Sequence, residues 1–439
     1  MTDTAARPWW ASFGPGLVFA GAAVGVSHLV QSTRAGASFG LGALVVVVLA
    51  CAVKFPAFRF GPLYAGATGH SLLTAYRRQG RWTLLVFALL TLCTMFTVTA
   101  AVTLVTAGIA IPVLGLGPWL EATFGASHGP LAVSAVLLAA SALLLALGGY
   151  PWLDRFIKFV MPVLSVATLA ATVLALGHIE WSWAALLPER ALFVAPGVAF
   201  TVALIGWMPS AIDISVWSSL WTVARARQGG GTVHARGALL DFDAGYAVTL
   251  LLALAFVVLG TAVMHGRGVG FENSPAAFAT QVISLYAAML GEWSRPVIGA
   301  CALLVMISTV VTVVDGFPRV VAALFAQWRA ASEAGHGDDG GGGEGDRRVY
   351  RAAFAVVALG ALAILAFGMR SFKGLVDLAT TISFLTAPVL AWFNHRAVHG
   401  DDVAPALRPG VVLRRWSATA IAVQAAFAAW YVWSTFVAA

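Results

Sequence analysis

FGPGLVFAGAAVGVSHLVQSTRAGASFG, residues 13–40, is apolar enough to cross a bilayer, yet Gly25-Val26-Ser27-His28 interrupts it near mid-depth. Gln31, Ser32, Thr33 and Arg34 follow the interruption, and lipid tails solvate none of them. A spanning segment that is broken and polar at its centre is tolerated only where it faces a protein-lined cavity. The stretch therefore predicts a buried polar cavity at membrane depth.

The remainder of the chain supplies the membrane around it. Of 439 residues, 60% are apolar and 10% charged, with a mean hydropathy of +0.87. Soluble domains carry about 25% charged residues, so the composition is that of an integral membrane protein. MTDTAARPWW is short and polar and no A-x-A-like site follows the first apolar run, so no cleaved signal peptide is expected. The net charge of +7 resides between apolar runs, where topology accounts for it, and no nucleic-acid-binding module accompanies it. Cys51, Cys93 and Cys301 lie in apolar runs without CxxC spacing and read as packing residues.

About eleven runs are long enough to span at 1.5 Å per residue: 13–35, 40–64, 83–112, 129–148, 153–177, 193–222, 243–265, 285–324, 351–369, 374–394 and 417–437, the eighth beginning as a surface helix from about 275. With the N-terminus inside, the cytoplasmic connections hold Arg77, Arg78, Arg81, Arg155, Lys158, Arg225, Arg227, Arg236, Arg329, Arg347, Arg348, Arg351, Arg396, Arg408, Arg414 and Arg415. The other side holds only Arg190, Arg267, Arg295, Arg370 and Lys373. The positive-inside rule gives a cytoplasmic N-terminus and an outer C-terminus, in a bacterial inner membrane. Residues 330–350, with GHGDDGGGGEGD at 335–346, read as a flexible cytoplasmic loop. Its His336, Asp338 and Asp339 read as solvated rather than metal-binding. Trp9, Trp10, Trp119, Trp181, Trp183 and Trp293 lie near span ends, where indole prefers the interface.

An internal repeat sharpens the reading. Pro15-Gly16-Leu17-Val18-Phe19 returns as Pro196-Gly197-Val198-Ala199-Phe200, an offset of 181, at which Gly25 falls on Gly206 and His28 on Pro209. Broken spans at corresponding places in two halves point to a transporter binding site. The expected fold is all-α, a five-plus-five inverted repeat: repeat one about 13–177, repeat two about 193–394 and an extra helix about 417–437, forming one transmembrane domain.

The candidate site residues surround the two breaks. Pro209 lacks an N–H and opens ALIGWMPSAIDISVW near Gly206–Pro209, which frees carbonyls to coordinate a cation. Asp213 is expected in the first turn of the following half-helix, whose N-terminus is Ser210 and Ala211. An ionisable group at mid-membrane costs about 2.5–3.5 kcal/mol on insertion scales, so Asp213 demands a role: a cap, an ion pair with Arg34, or contact with solute or proton. His28 and Met208 suit a transition metal; His28 also reads as a proton carrier or a helix cap, and Met208 as packing. Substrate contacts are expected from Gly25, Ser27, His28, Gly206, Met208, Ser210, Asp213, Thr380 and Thr381. Coupling or ion pairing is expected from Arg34, Lys54 and Asp377. Asp315 and Arg319, four apart, read as a local structural pair. GxSxG, HExxH and Walker motifs are absent from the sequence, so it argues for no enzyme and no cofactor.

At these residues the chain resembles the Nramp family of divalent-metal transporters over nearly its whole length. FGPG at 13–16, AGAxxG at Ala35–Gly40 and the Met208-Pro209 pair are similar to that family's first and sixth spans. The resemblance implies a LeuT-like fold and inward movement of Mn²⁺ or Fe²⁺ with protons. Against the family's Asp-Pro-Gly-Asn this chain has Gly25-Val26-Ser27-His28, and against Met-Pro-His it has Met208-Pro209-Ser210. Ser215 stands where a second family histidine falls, and the third span lacks the family's acidic residues. Two cargoes follow: a divalent metal on His28, Met208 and Asp213, or a small organic solute or anion held by half-helix N-termini with Arg34 nearby. The partners implied are that small ion or solute and the bilayer, without nucleic acid.

Overall fold

The computed structural model describes residues 14–194, 197–228, 235–266, 272, 274–332, 347–368 and 372–436. Within them every regular element is helical, as hydrocarbon demands of a chain that must satisfy its own backbone. The first span is α1 (Pro15–Ala23), a π-helical turn at Ser27–Ser32 and α2 (Thr33–Phe39). There follow α3 (Ala43–Thr68), α4 (Leu72–Gln79), α5 (Arg81–Val113) and α6 (Gly117–Ala175). The second half opens with α7 (Gly197–Trp207) and α8 (Ile214–Gln228). Next come α9 (Ala235–Met264), α10 (Pro275–Leu290), α11 (Ser294–Ser332) and α12 (Arg347–Ala363). The described chain closes with α13 (Phe372–Val398) and α14 (Val411–Phe436). Eight helical runs among the described residues are long and apolar enough to cross a membrane, and the protein is an integral membrane protein.

Both expected interruptions are present, between Ala23 and Ser27 and between Trp207 and Ile214. The fourth and fifth spans stand as two apolar runs of membrane length, His128–Leu147 and Ile157–His178, along helical backbone that continues from Gly117 to Ala175. Two expectations about the other spans need correction. The eighth span starts at Ser294, not 285, because 275–290 is a helix of its own. The connection read at Tyr76–Trp82 is largely α4. The 335–346 loop, Trp9, Trp10 and Pro196 lie outside the described residues.

The two short helices carry a second repeat signature. α4 separates α3 from α5, and α10 separates α9 from α11, the same place in each half. Each is preceded by a serine in extended conformation, Ser71 or Ser274. Each ends at a glycine of positive φ, Gly80 (125°) or Gly291 (91°), with a tryptophan two residues on whose indole packs over it. Glycine is the residue that populates this region freely.

Burial is densest at the broken spans and the helices that hold them. Phe19 of α1 meets Phe58 of α3 and Phe242 and Tyr246 of α9 at ring-centroid distances of 5.4, 5.1 and 5.9 Å. Such pairs contribute about 0.5–1.5 kcal/mol each beyond area. In a bilayer that packing term carries the weight, since lipid is as apolar as the helix surface. Polar clasps add to it. Asp241, at the start of α9, accepts from the Gly14 and Gly16 amides at 3.2 and 2.7 Å and so caps α1. Arg59 of α3 pairs with Asp243 of α9 at 2.8 Å.

Candidate functional site

The first break is built from small residues. α1 stops where Val24 turns to φ −79°, ψ 85°, and helix resumes only when the His28 and Leu29 amides reach back to the Gly25 carbonyl. The freed carbonyls of Gly21 and Val24 lie 3.1 and 3.3 Å from the Thr309 hydroxyl of α11. Gly25 admits that side chain: a Cβ here would stand 2.7 Å from Thr309 Oγ1 and Cγ2. Gly25 is thus a packing position, not merely the gap left by a ligand.

His28 is fully buried and faces away from the break. Its Nε2 lies 2.9 Å from the Thr249 carbonyl of α9 and its Nδ1 2.7 Å from Ser27 Oγ. A carbonyl only accepts, so Nε2 carries the proton and has no lone pair for a metal. Ser27 Oγ also lies 2.6 Å from the Ala23 carbonyl.

The second break follows from Pro209, whose peptide bond with Met208 is cis. α7 ends at Trp207 and α8 restarts at Ile214. Ser210 and Ala211 therefore lie in the non-helical turn, and Asp213 immediately precedes α8 instead of sitting within its first turn. The carbonyls that this opening frees are taken by the chain itself. Lys54 Nζ, from α3, reaches Ile205 O at 2.5 Å, Gly206 O at 2.7 Å and Ser210 O at 3.1 Å. Gly206 also brings its backbone against α13, where an added Cβ would meet the Thr380 carbonyl at 1.9 Å. Each break is thereby braced from the opposite repeat, the first by α9 and the second by α3.

Between the breaks lies a small cavity, lined among others by Ala23, Ser27, Trp207, Asp213, Trp217 and Val313. A second, smaller one extends between α5 and α13 past Thr91, Thr94, Ser383 and Thr386. Asp213 lines both. It is 6% exposed, and among the described residues neither carboxylate oxygen accepts a hydrogen bond. The nearby Ile214 amide donates to the Ala211 carbonyl instead. An isolated buried carboxylate is costly unless a cation or proton joins it.

The other candidates are distributed around this centre. Arg34 does not pair with Asp213; it binds Asp377 of α13 at 2.9 Å and Gln31 at 3.0 Å, with its guanidinium 4.8 Å from the Phe200 ring centre. That contact joins α2, α7 and α13 beyond the breaks. Met208 is wholly buried and lines neither cavity, so His28, Met208 and Asp213 are not gathered around one space. Thr380 bonds to its own helix at Val376, Thr381 is half-buried, and α13 presents Ser383 and Thr386 to the cavity instead. Ser215 accepts from Asn394 at 2.7 Å. Asp315 and Arg319 pair at 2.9 Å as expected, and Asp315 also accepts from Trp221 and Tyr350, joining α8, α11 and α12. No group of three or more His, Cys, Asp or Glu suited to a metal occurs among the described residues. Sequence reasoning missed Asp241, Thr309, Asn394 and Ser383; of these, only Asp241 carried a signal, as an acid at the end of an apolar run.

Solved structures share this architecture. A manganese transporter of Eremococcus coleocola superposes with a TM-score of 0.64 at 12% identity, over 99% of this chain and 89% of that one. MhsT, solved with L-phenylalanine, gives 0.66 at 15% identity over 98% and 99%. Mhp1, a nucleobase-cation-symport-1 family transporter solved closed with bromovinylhydantoin, gives 0.56 at 14% over 97% and 93%. These likenesses show the fold: an all-α membrane protein of LeuT-like architecture. No family model matches the chain. Protein PM0681 of Pasteurella multocida (strain Pm70) is 32% identical over 393 residues, covering 88% of this chain and 84% of that protein. At that identity and coverage the chain belongs to the family of Pasteurella multocida PM0681.

Proposed function

We propose that the protein is a secondary transporter that carries a small organic cation by alternating access, through the cavity between its two broken helices. The observation that carries this reading is Asp213, a buried carboxylate that faces that cavity and whose oxygens, among the described residues, accept no hydrogen bond. A cationic group is its complement. The walls suit the organic part of such a solute: Val26, Val98, Val102 and Val313 are aliphatic, and Trp207 and Trp217 also line the space. An anion meets repulsion from Asp213, and Arg34 is already engaged by Asp377.

The Nramp resemblance argues for Mn²⁺ or Fe²⁺ as cargo. In this cavity a divalent metal finds one carboxylate and the hydroxyls of Ser27 and Ser210, while His28 donates through Nε2 to the Thr249 carbonyl and does not line the space. Mn²⁺ accepts oxygen ligands but wants about six of them, and a single carboxylate with two hydroxyls supplies few of those and little compensating charge. The proposed orientation is N-terminus cytoplasmic, in a bacterial inner membrane, supported by the arginines at the Asp241 side of the bundle. Arg34–Asp377 then lies on the outer side of the breaks.

The test is a thermal-shift titration of the purified full-length protein with ethylammonium, guanidinium, choline, acetate and Mn²⁺. Stabilisation by an organic cation, saturable and absent in Asp213→Asn, is the expected result. Saturable stabilisation by Mn²⁺ or acetate alone contradicts the assignment.

A further inference from the structure

We infer that the unwound backbone of the second broken helix is a monovalent-cation site, and that Lys54 fills it as a cation tethered to the chain. In a continuous helix the Ile205 carbonyl would accept from residue 209, but Pro209 has no N–H to give; that carbonyl accepts instead from the Met208 amide at 3.2 Å and keeps a second lone pair for Lys54. The Gly206 carbonyl loses its donor because the helix ends one residue later. These two oxygens and that of Ser210 converge on Lys54 Nζ, three acceptors for the three protons of an ammonium group. Lys54 is 1% exposed, which excludes a snorkelling role. Rings of backbone carbonyls that replace a hydration shell are how proteins hold free Na⁺ or K⁺.

Tethering has a functional consequence. A free ion can leave during a transport cycle, and the break then loses its brace; an ammonium on α3 stays. The second break is accordingly ordered without sodium or potassium, and any coupling ion binds elsewhere. This inference concerns the backbone of residues 205–210 and stands whatever solute the cavity holds.

Lys54→Ala removes the equivalent of n-propylammonium and leaves the carbonyls open. Thermal unfolding of purified full-length protein, followed by tryptophan fluorescence at matched ionic strength, tests the idea. The comparison is made in the Asp213→Asn background, where the solute site is disabled; that protein is expected to give the same midpoint in choline, sodium and potassium chloride. Lys54→Ala in the same background is expected to unfold several degrees lower in choline chloride and to recover, saturably, with sodium or n-propylammonium, whereas the Asp213→Asn protein gains nothing from either. A Lys54→Ala protein as stable as its Asp213→Asn reference, or a loss that neither cation restores, overturns the proposal. If the double variant yields no folded protein, the Asp213→Asn protein decides: a flat response supports the tethered cation, and saturable stabilisation by sodium or potassium overturns it.

Discussion

His28 donates through Nε2 to the main-chain carbonyl of Thr249 at 2.9 Å, which ties the first broken helix to α9 of the opposite repeat. The imidazole is a strut at the place where a ligand was expected. His28→Ala removes two hydrogen bonds and opens a void, at a cost of roughly 2–4 kcal/mol. The expected outcome is a lower unfolding midpoint by circular dichroism. Mn²⁺ should shift wild type and variant equally. A Mn²⁺ stabilisation present only in the wild type would restore His28 to a metal site.

Asp213 behaves in the opposite sense. Asp213→Asn removes a buried charge whose oxygens accept no hydrogen bond among the described residues, and relief of its desolvation offsets the lost attraction to Lys54, so little change in stability is expected. The variant should purify in normal yield and unfold no earlier than wild type, yet lose solute binding in equilibrium dialysis. A variant that unfolds early would show that Asp213 is a structural cap.

Gly25 and Thr309 should be coupled energetically. Gly25→Ala places a methyl group 2.7 Å from the Thr309 side chain and should destabilise by about 1–3 kcal/mol. Thr309→Ala clears that space, so the double variant should recover much of the loss, with a coupling of about 1 kcal/mol in chemical denaturation. Strict additivity would refute the contact. The same geometry predicts that Gly25→Asp does not create a metal site, because a carboxylate has no room there.

Asp377 is one-third exposed, so its pair with Arg34 contributes little to stability, about 1 kcal/mol at most. Its role is to hold α2 against α13. Asp377→Asn should speed the labelling of a Ser27→Cys variant by a membrane-impermeant thiol reagent applied from outside, with little change in unfolding midpoint. Unchanged labelling would remove the pair from any gating role.

The breaks were legible in the sequence because their causes are backbone chemistry. Pro209 withholds an N–H and Gly25 offers no side chain, and both facts survive without coordinates. The partners of the breaks were not legible. Lys54 reaches carbonyls, which no sequence pattern marks, and Thr309 is one hydroxyl among many that bond to their own helix. Register failed for a related reason. In an apolar span both faces are hydrophobic, so periodicity does not say which side of α13 faces inward. Thr380 was therefore expected where Ser383 and Thr386 line the cavity.

The central claim is that a cavity between two broken helices takes a small organic cation on Asp213. The most direct measurement is the current from proteoliposomes on a solid-supported membrane after a concentration jump of ethylammonium, guanidinium or choline. The account predicts inward positive charge movement with at least one of these in the wild type, and none in Asp213→Asn. Equal currents from the two proteins, or a wild-type current with Mn²⁺ and with none of the organic cations, would contradict it.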